Sequence, residues 1–289
     1  MYKILVVIVT YHPDIDELQN LLSILQGCRC DVALVDNNSN NFDVIKNILT
    51  VNANLFGLQE NIGLPAAQNL AIEKFGKSTH EYFLFLDQDT VIPNTFVDEI
   101  FNDFIRVKIF DQHIAAIGPK LIDKRSGYAY KIPKISRLKF EIIGAGRICS
   151  YLISSGMFID ASVYKKIGMN NPIFFIDYID IDLSFRLYRA GYTLYTSEHV
   201  SMHHTAADKT FKIFNKHIPL HSPWRKYYQI RNLIFIISSG YAPVRWVFRE
   251  IISSFFNNFI YLLVSKEKML AMKYFKEGFC DGISSIMKK

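Results

Sequence analysis

Four short apolar runs, separated by stretches with helical spacing, constrain most what this chain can fold into. Residues 3–10 (KILVVIVT) form the first, and a run that is apolar on both faces of a strand belongs in the middle of a sheet. Tyr11-His12-Pro13 breaks it, Asp14 stands where a helix cap is needed, and Leu18, Leu21, Leu22 and Leu25 follow at helical spacing. Val32–Asp36 reads as a second strand, ended by Asn37-Asn38-Ser39-Asn40; residues 41–49 read as a helix and Ala53–Leu58 as a short strand. Gly63–Phe75 reads as a helix, with Ala67, Leu70, Ala71 and Lys74 spaced for one face, and Tyr82–Leu86 as the fourth strand, ending at Asp87. This β-α-β-α-β-α-β alternation predicts an α/β fold with a mostly parallel, doubly wound sheet, whose ligands gather at the carboxyl ends of the strands.

Beyond Asp87 the pattern loosens. Residues 120–150 read as a loop-like region with Lys124-Arg125 and Gly144/Gly146, Leu152–Ile159 as a strand carrying Ser154-Ser155-Gly156, and Tyr192–Val200 as strand-like, before the last third turns helical. The 289 residues are half hydrophobic and 21% charged, which provides a sizeable core and excludes low-complexity disorder or a small disulfide scaffold. Cys28, Cys30, Cys149 and Cys280 show neither paired nor metal-finger spacing, so a reducing compartment is the natural reading. The apolar run after Met1 is too short for a signal peptide. The uncharged stretch Ile251–Ser265 falls short of the roughly 18–20 residues of a spanning helix, which predicts a protein not integral to a membrane. The net charge of +6 divides unevenly: residues 209–289 hold 14 basic and 4 acidic side chains, residues 1–208 hold 19 and 23. A basic, aromatic tail on an acidic body suggests a negative partner such as phospholipid, a polyphosphate ligand or nucleic acid, the alternative being a solvated basic surface; no nucleic-acid-binding module is recognisable.

The polar clusters stand where the alternation places ligands. Asp36-Asn37-Asn38-Ser39 follows the second strand and Asp87-Gln88-Asp89 the fourth. Asn61-Ile62-Gly63 opens a helix with one glycine only, so neither a dinucleotide fingerprint nor a P-loop is complete, which argues against an oxidoreductase or an ATPase. Side chains two apart on a strand share a face, so Asp87 and Asp89 can point together into the cleft, and such a pair calls for a hard divalent cation. In FFIDYIDIDLSFR (174–186), Asp177 and Asp180 share a face if the segment is helical, while Asp182 and Arg186 can pair across one turn. Asp180, set among Phe, Ile and Tyr, has the surroundings that raise a carboxyl pKa towards a general base's. One of the neighbours His203 and His204 could complete a cation's coordination. HSPWRKYYQIRN (221–232) gathers Arg225, Lys226 and Arg231 at a helix start, a cationic set suited to a diphosphate.

Taken in order, VVIVTYHPD, LVDNNSN, NIGLPAAQN, LDQDT, SSGMFID, FFIDYIDIDLSFR and MHHTAAD resemble the motifs of the inverting family 2 glycosyltransferases, which have the GT-A fold. The resemblance covers about residues 3–232; LDQDT, FIDY-x-D, M-x-H-x-x-x-D and HSPWRKYYQIRN are most similar to bacterial rhamnosyltransferases of O-antigen and cell-wall polysaccharide assembly. It departs twice: Ile179 stands where a Glu usually precedes the base, and Ala207 where a Gly usually follows the late histidine. The resemblance implies a nucleotide-sugar donor, dTDP-β-L-rhamnose, bordered by Thr10 and Tyr11, with Asp36 accepting from the pyrimidine N3–H and Asn61 and Gly63 near the nucleotide. It further implies Mg²⁺ or Mn²⁺ on Asp89 and His204 with Asp87 assisting, Gln88 beside the donor, and Arg225 and Arg231 towards the diphosphate. Asp180 would be the catalytic base, with Ser155, Gly156 and Asp177 on the acceptor side. The acceptor implied is a saccharide carried on a polyprenyl diphosphate.

Residues 1–232 then form the catalytic domain and 233–289 a helical extension. In the extension Phe255, Phe256, Phe259 and Leu262–Leu263 make an apolar stripe followed by Lys266 and Lys268, fit for shallow insertion at an anionic membrane surface or for packing on protein. The expected location is cytoplasmic, peripheral at the inner face of the bacterial cell membrane. The alternatives are a family 2 transferase using a UDP-hexose or UDP-N-acetylhexosamine, and a membrane-associated scaffold with a decayed site.

Overall fold

The computed structural model describes residues 3–123, 127, 129, 132–135, 140–143, 146–204, 209–213, 216–220, 222–265 and 267–287. Lys124-Arg125, Gly144, Ala207 and Lys266 lie outside the described residues, as does the side chain of His204. The chain divides into two compact units. The first comprises Met1–Lys134, Glu141–Phe175 and Ile179–His204, and the second Ile135–Phe140, Ile176–Tyr178 and Thr205–Lys289.

The first unit begins as the alternation predicts: β1 (Ile4–Thr10), α1 (Ile15–Gln26), β2 (Asp31–Asp36), α2 (Phe42–Asn47), β3 (Ala53–Gly57), α3 (Leu64–Phe75), β4 (Tyr82–Asp87) and α4 (Phe96–Phe110). Asp14 caps α1, its carboxylate accepting from the backbone N–H groups of Asp16 and Glu17 at 3.0 and 3.1 Å. Then follow β5 (Ile114–Asp123), β6 (Ile132–Ile135), β7 (Phe140–Ile143), β8 (Arg147–Cys149), β9 (Phe158–Asp160), α5 (Ala161–Lys166), α6 (Ile179–Arg189) and β10 (Thr193–His204). The region 120–150, expected to be loop-like, therefore carries short strands. The strand expected over Leu152–Ile159 shrinks to Phe158–Asp160, because Met157 N–H closes a turn onto the Ser154 carbonyl at 3.0 Å.

Eight strands form one sheet in the order β3-β2-β1-β4-β9-β5-β10-β8. Neighbours β3, β2, β1 and β4 run parallel, as do β5 and β10; β9 is antiparallel to both of its neighbours and β8 to β10. Alternation along β1 explains why both faces need cover. Ile4, Val6 and Ile8 join Leu18, Leu21, Leu22 and Leu25 of α1 and Phe96, Ile100 and Phe104 of α4 on one side. Leu5 and Val7 join Ala67 and Ala71 of α3 and Leu183 and Leu187 of α6 on the other. The sheet is doubly wound and its core lies on both faces.

The second unit holds the hairpin β11 (Lys209–Ile213) and β12 (Lys216–Leu220), then α7 (Arg225–Ser238), α8 (Val244–Val264) and α9 (Lys268–Met287). The boundary read at residue 232 falls inside α7. Helix α8 corrects the reading of Ile251–Ser265 as too short: it runs 21 residues, is predominantly apolar and is little buried. By length and composition it could cross a membrane. The sequence reading stopped at Arg249-Glu250, but a helix carries isolated charges where its other residues keep it helical.

Candidate active site

Because β1, β2 and β4 are parallel, their carboxyl ends meet on one edge: Thr10 lies opposite Asp36, and Val9 opposite Asp87. Asp36 is almost fully buried. Its Oδ1 accepts from the Thr10 hydroxyl at 2.7 Å and the Ser39 hydroxyl at 2.6 Å, and its Oδ2 accepts from Ser39 N–H at 2.8 Å. A carboxylate oxygen offers two lone pairs, so Oδ2 retains one acceptor position while the side chain is held rigidly.

Gln88 ties the first loop to the fourth. Its Oε1 accepts from Tyr11 N–H at 2.7 Å and its Nε2 donates to the Tyr11 carbonyl at 3.3 Å. Tyr11 is 48% exposed at the edge of the site, its ring tilted against that of His12 with centroids 4.2 Å apart. Asn61 likewise braces the backbone, its Oδ1 accepting from Asn37 Nδ2 and from Gly63 N–H, both at 2.9 Å. Gly63 is required where it stands: φ is +84°, and a Cβ there would lie 2.6 Å from the Phe175 ring and 2.8 Å from its backbone. That close approach lets Leu64 N–H donate to the Phe175 carbonyl at 2.7 Å.

The strand geometry read for Asp87 and Asp89 needs correcting. β4 ends at Asp87, and Asp89 sits in a turn closed by Thr90 N–H on the Asp87 carbonyl at 3.1 Å, so period-two alternation no longer places Asp89. The two carboxylates still act on each other. Burial pushes the Asp87 carboxyl up to about 7, and the charges of Asp89 and Asp180 push the same way, against a lowering bond from Ser155. Three acidic side chains thus share one electrostatic neighbourhood at the carboxyl edge of the sheet.

Asp180 lies in the first turn of α6, half-buried, its Oδ1 accepting from Ile181 N–H at 2.9 Å. Asp182 is fully buried and paired with Arg186 at 2.7 Å, as its i,i+4 spacing predicts. Arg186 also donates to the carbonyls of Ile167 and Met169 at 2.7 and 2.6 Å, so this pair anchors the chain ahead of α6. The late histidines arrive beside the acidic turn: His203 forms an antiparallel backbone bridge with Val91, and its own side chain is exposed.

Ser155 and Gly156 occupy a turn, not the strand expected. The Ser155 hydroxyl accepts from Asp87 N–H at 3.2 Å and lies 3.0 Å from the Thr90 hydroxyl, so it buttresses the acidic turn. Gly156 (φ +83°) passes where a Cβ would meet Pro119 at 2.6 Å. Sequence reading also missed a buried amide network: Asn170 donates to Gln68 Oε1 at 2.7 Å, and Asn69 to the Asn170 carbonyl at 2.7 Å, which fixes the loop ahead of α6 onto α3. The available signal was Gln68 and Asn69 at the end of NIGLPAAQN, at positions that a purely apolar helix face would leave to Leu or Ala.

Asp177 and Arg225 belong to the second unit. Asp177 is outside α6, with φ +63°, so it does not share a helical face with Asp180. Its carboxylate accepts from Arg225 at 2.6 and 3.2 Å, a two-point ion pair that joins a residue read as acceptor-side to one read as diphosphate-binding. Arg231 lies over the rings of Tyr228 at 4.8 Å and of Tyr227 and Phe235 at 5.3 Å.

As for a cation, no group of three His, Cys, Asp or Glu side chains stands together among the described residues. The oxygen donors of Asp87 and Asp89, with a proton held at Asp87 by burial and by its acidic neighbours, nonetheless fit a hard divalent ion, which would displace that proton and complete its shell from elsewhere.

No protein-family model matches the sequence. The dTDP-rhamnosyl transferase RfbF of Shigella flexneri is 30% identical over 291 residues, covering 98% of this chain and 96% of that protein. Among solved structures, residues 1–349 of S. aureus TarS in complex with UDP-GlcNAc are similar over 98% of this chain and 81% of that one, with a TM-score of 0.55 and 15% identity. At that identity the second likeness is one of fold.

Proposed function

Since the chain belongs to the inverting family 2 glycosyltransferases of GT-A fold, alongside the bacterial rhamnosyltransferases, we propose that it moves L-rhamnose from dTDP-β-L-rhamnose to a hydroxyl of a lipid-linked saccharide. It is an enzyme of glycosyl transfer; the donor, the acceptor and the residue roles are our reading. One observation carries the chemistry: Asp87, Asp89 and Asp180 share the carboxyl edge of the sheet with the rigidly held Asp36. Identity to RfbF over nearly the whole chain supports the donor.

In this reading Asp36 accepts the pyrimidine N3–H and Tyr11 stacks on the base. Asp89 and Asp87, with His204, would hold Mg²⁺ or Mn²⁺, which would supply positive charge to the leaving diphosphate. Asp180 takes the proton of the acceptor hydroxyl while that oxygen forms its bond to the anomeric carbon. The bond from that carbon to the diphosphate oxygen breaks, dTDP departs with the electron pair, and the configuration inverts. The reaction belongs at the inner face of the bacterial membrane, where a polyprenyl-diphosphate acceptor resides; the exposed apolar residues of α8 and the basic excess after residue 208 support that location.

A panel of nucleotide sugars, scored by thermal stabilisation with and without Mn²⁺, tests the donor. dTDP-β-L-rhamnose with Mn²⁺ gives the largest shift; a larger shift with UDP-GlcNAc or UDP-glucose refutes the assignment.

A further inference from the structure

Helices α7, α8 and α9 enclose an open groove of about 980 Å³, within the size range of ligand clefts. Its walls are apolar, with Ile234 and Ile237 from α7, Phe255 and Phe259 from α8, and Met272 and Phe279 from α9. Phe255 is 69% exposed and Phe259 54%, so large rings that packing would ordinarily cover stand open along one trough.

Lys226 lines the same groove, and it is anomalous. It is only 6% exposed, and its ammonium meets Gln229 Oε1 at 3.2 Å and the Tyr261 ring at 4.4 Å. Among the described residues no carboxylate lies within ion-pair distance; Asp177, whose charge favours the ammonium, is already paired with Arg225. Burial pulls the Lys226 pKa down to about 8. A buried cation without a counter-ion is costly, and an incoming anion would relieve that cost. Lys273 and Lys276 line the groove as well, the former within 3.9 Å of Glu277.

We propose that this groove holds one membrane lipid whose single hydrocarbon chain ends in a phosphate, the chain lying along α7, α8 and α9 and the phosphate meeting Lys226. Charge decides the occupant. A second copy of this unit would bring the same basic excess, 14 cationic against 4 anionic side chains over residues 209–289, and would be repelled. A neutral lipid would fill the trough but leave Lys226 without its anion. The proposal stands on the second unit alone and holds or fails independently of the donor assignment.

The test is titration of the full chain with dodecyl phosphate and with dodecanol, below micelle formation, followed by native mass spectrometry. Wild type takes one equivalent of dodecyl phosphate about tenfold more tightly than dodecanol. Lys226→Met brings the two ligands to parity without loss of dodecanol, Lys226→Arg keeps the preference, and Phe259→Asp weakens both. Equal binding of the two ligands by wild type overturns the proposal with no variant needed. So does an unchanged preference in a folded Lys226→Met. Association only with dioleoylphosphatidylglycerol vesicles, without stoichiometric uptake of the single-chain probe, overturns it in favour of an unspecific lipid surface.

Discussion

Asp87 is the residue at which the site's electrostatics can be read out most simply. Its carboxyl keeps a proton in the folded chain up to about pH 7, whereas in the unfolded chain it ionises near its ordinary value. Between those pKa values the folded state binds more protons, so this residue's contribution to stability declines as pH rises from about 4 to about 7. Thermal unfolding in chelator, compared between wild type and Asp87→Asn, should show a wild-type deficit that grows over that window. A difference independent of pH would show that burial and the neighbouring acids do not keep the Asp87 carboxyl protonated. Asp36, Asp87, Asp89 and Asp180 were all legible as acids following apolar strands or opening a helix. What their side chains touch was not, because Thr10, Ser39 and Ser155 reach them from other parts of the chain. Nor was the way the Gln88 amide brackets the backbone of Tyr11.

At the scale of the element, the parallel half of the sheet follows from the alternation of apolar runs and helical spacing, and helix α1 with its Asp14 cap from local rules alone. The approach to α6 does not. Phe175, Asp177 and Tyr178 all have positive φ, which no local preference of these residue types supplies. Within the second unit the Asn232 amide holds the carbonyls of Ile176 and Asp177 at 2.7 and 3.0 Å, a tertiary contact from α7 that spacing cannot show. Gly63→Ala should destabilise by about 1–3 kcal/mol, since both its φ and the Phe175 ring oppose a Cβ; an unchanged denaturant midpoint would contradict that packing. Arg186→Met removes the ion pair to the fully buried Asp182 and the bonds to the Ile167 and Met169 carbonyls, and should lower the urea midpoint. An unchanged midpoint would contradict the anchoring role of this pair.

For the whole molecule, the division of charge seen in the sequence coincides with a division of packing: the units separate near residue 205, and the basic excess lies beyond residue 208. The apolar stripe of the extension was legible in sequence, although its full helix, Val244–Val264, was not, because charged residues interrupted the run before the helix did. Co-sedimentation with phosphatidylglycerol vesicles should fall on raising salt from 50 to 500 mM if the basic excess contributes, and phosphatidylcholine vesicles should bind less at low salt. Equal binding to both lipids would assign the association to α8's apolar face alone. The transferase account itself rests on Asp180 as the base opposite a nucleotide held by the acidic edge. Its most direct test is Asp180→Asn, assayed in parallel for rhamnosyl transfer from dTDP-β-L-rhamnose and for dTDP affinity with Mn²⁺. The account predicts a loss of transfer by about 10²–10⁴-fold with affinity unchanged; transfer at the wild-type rate in the folded variant would contradict it.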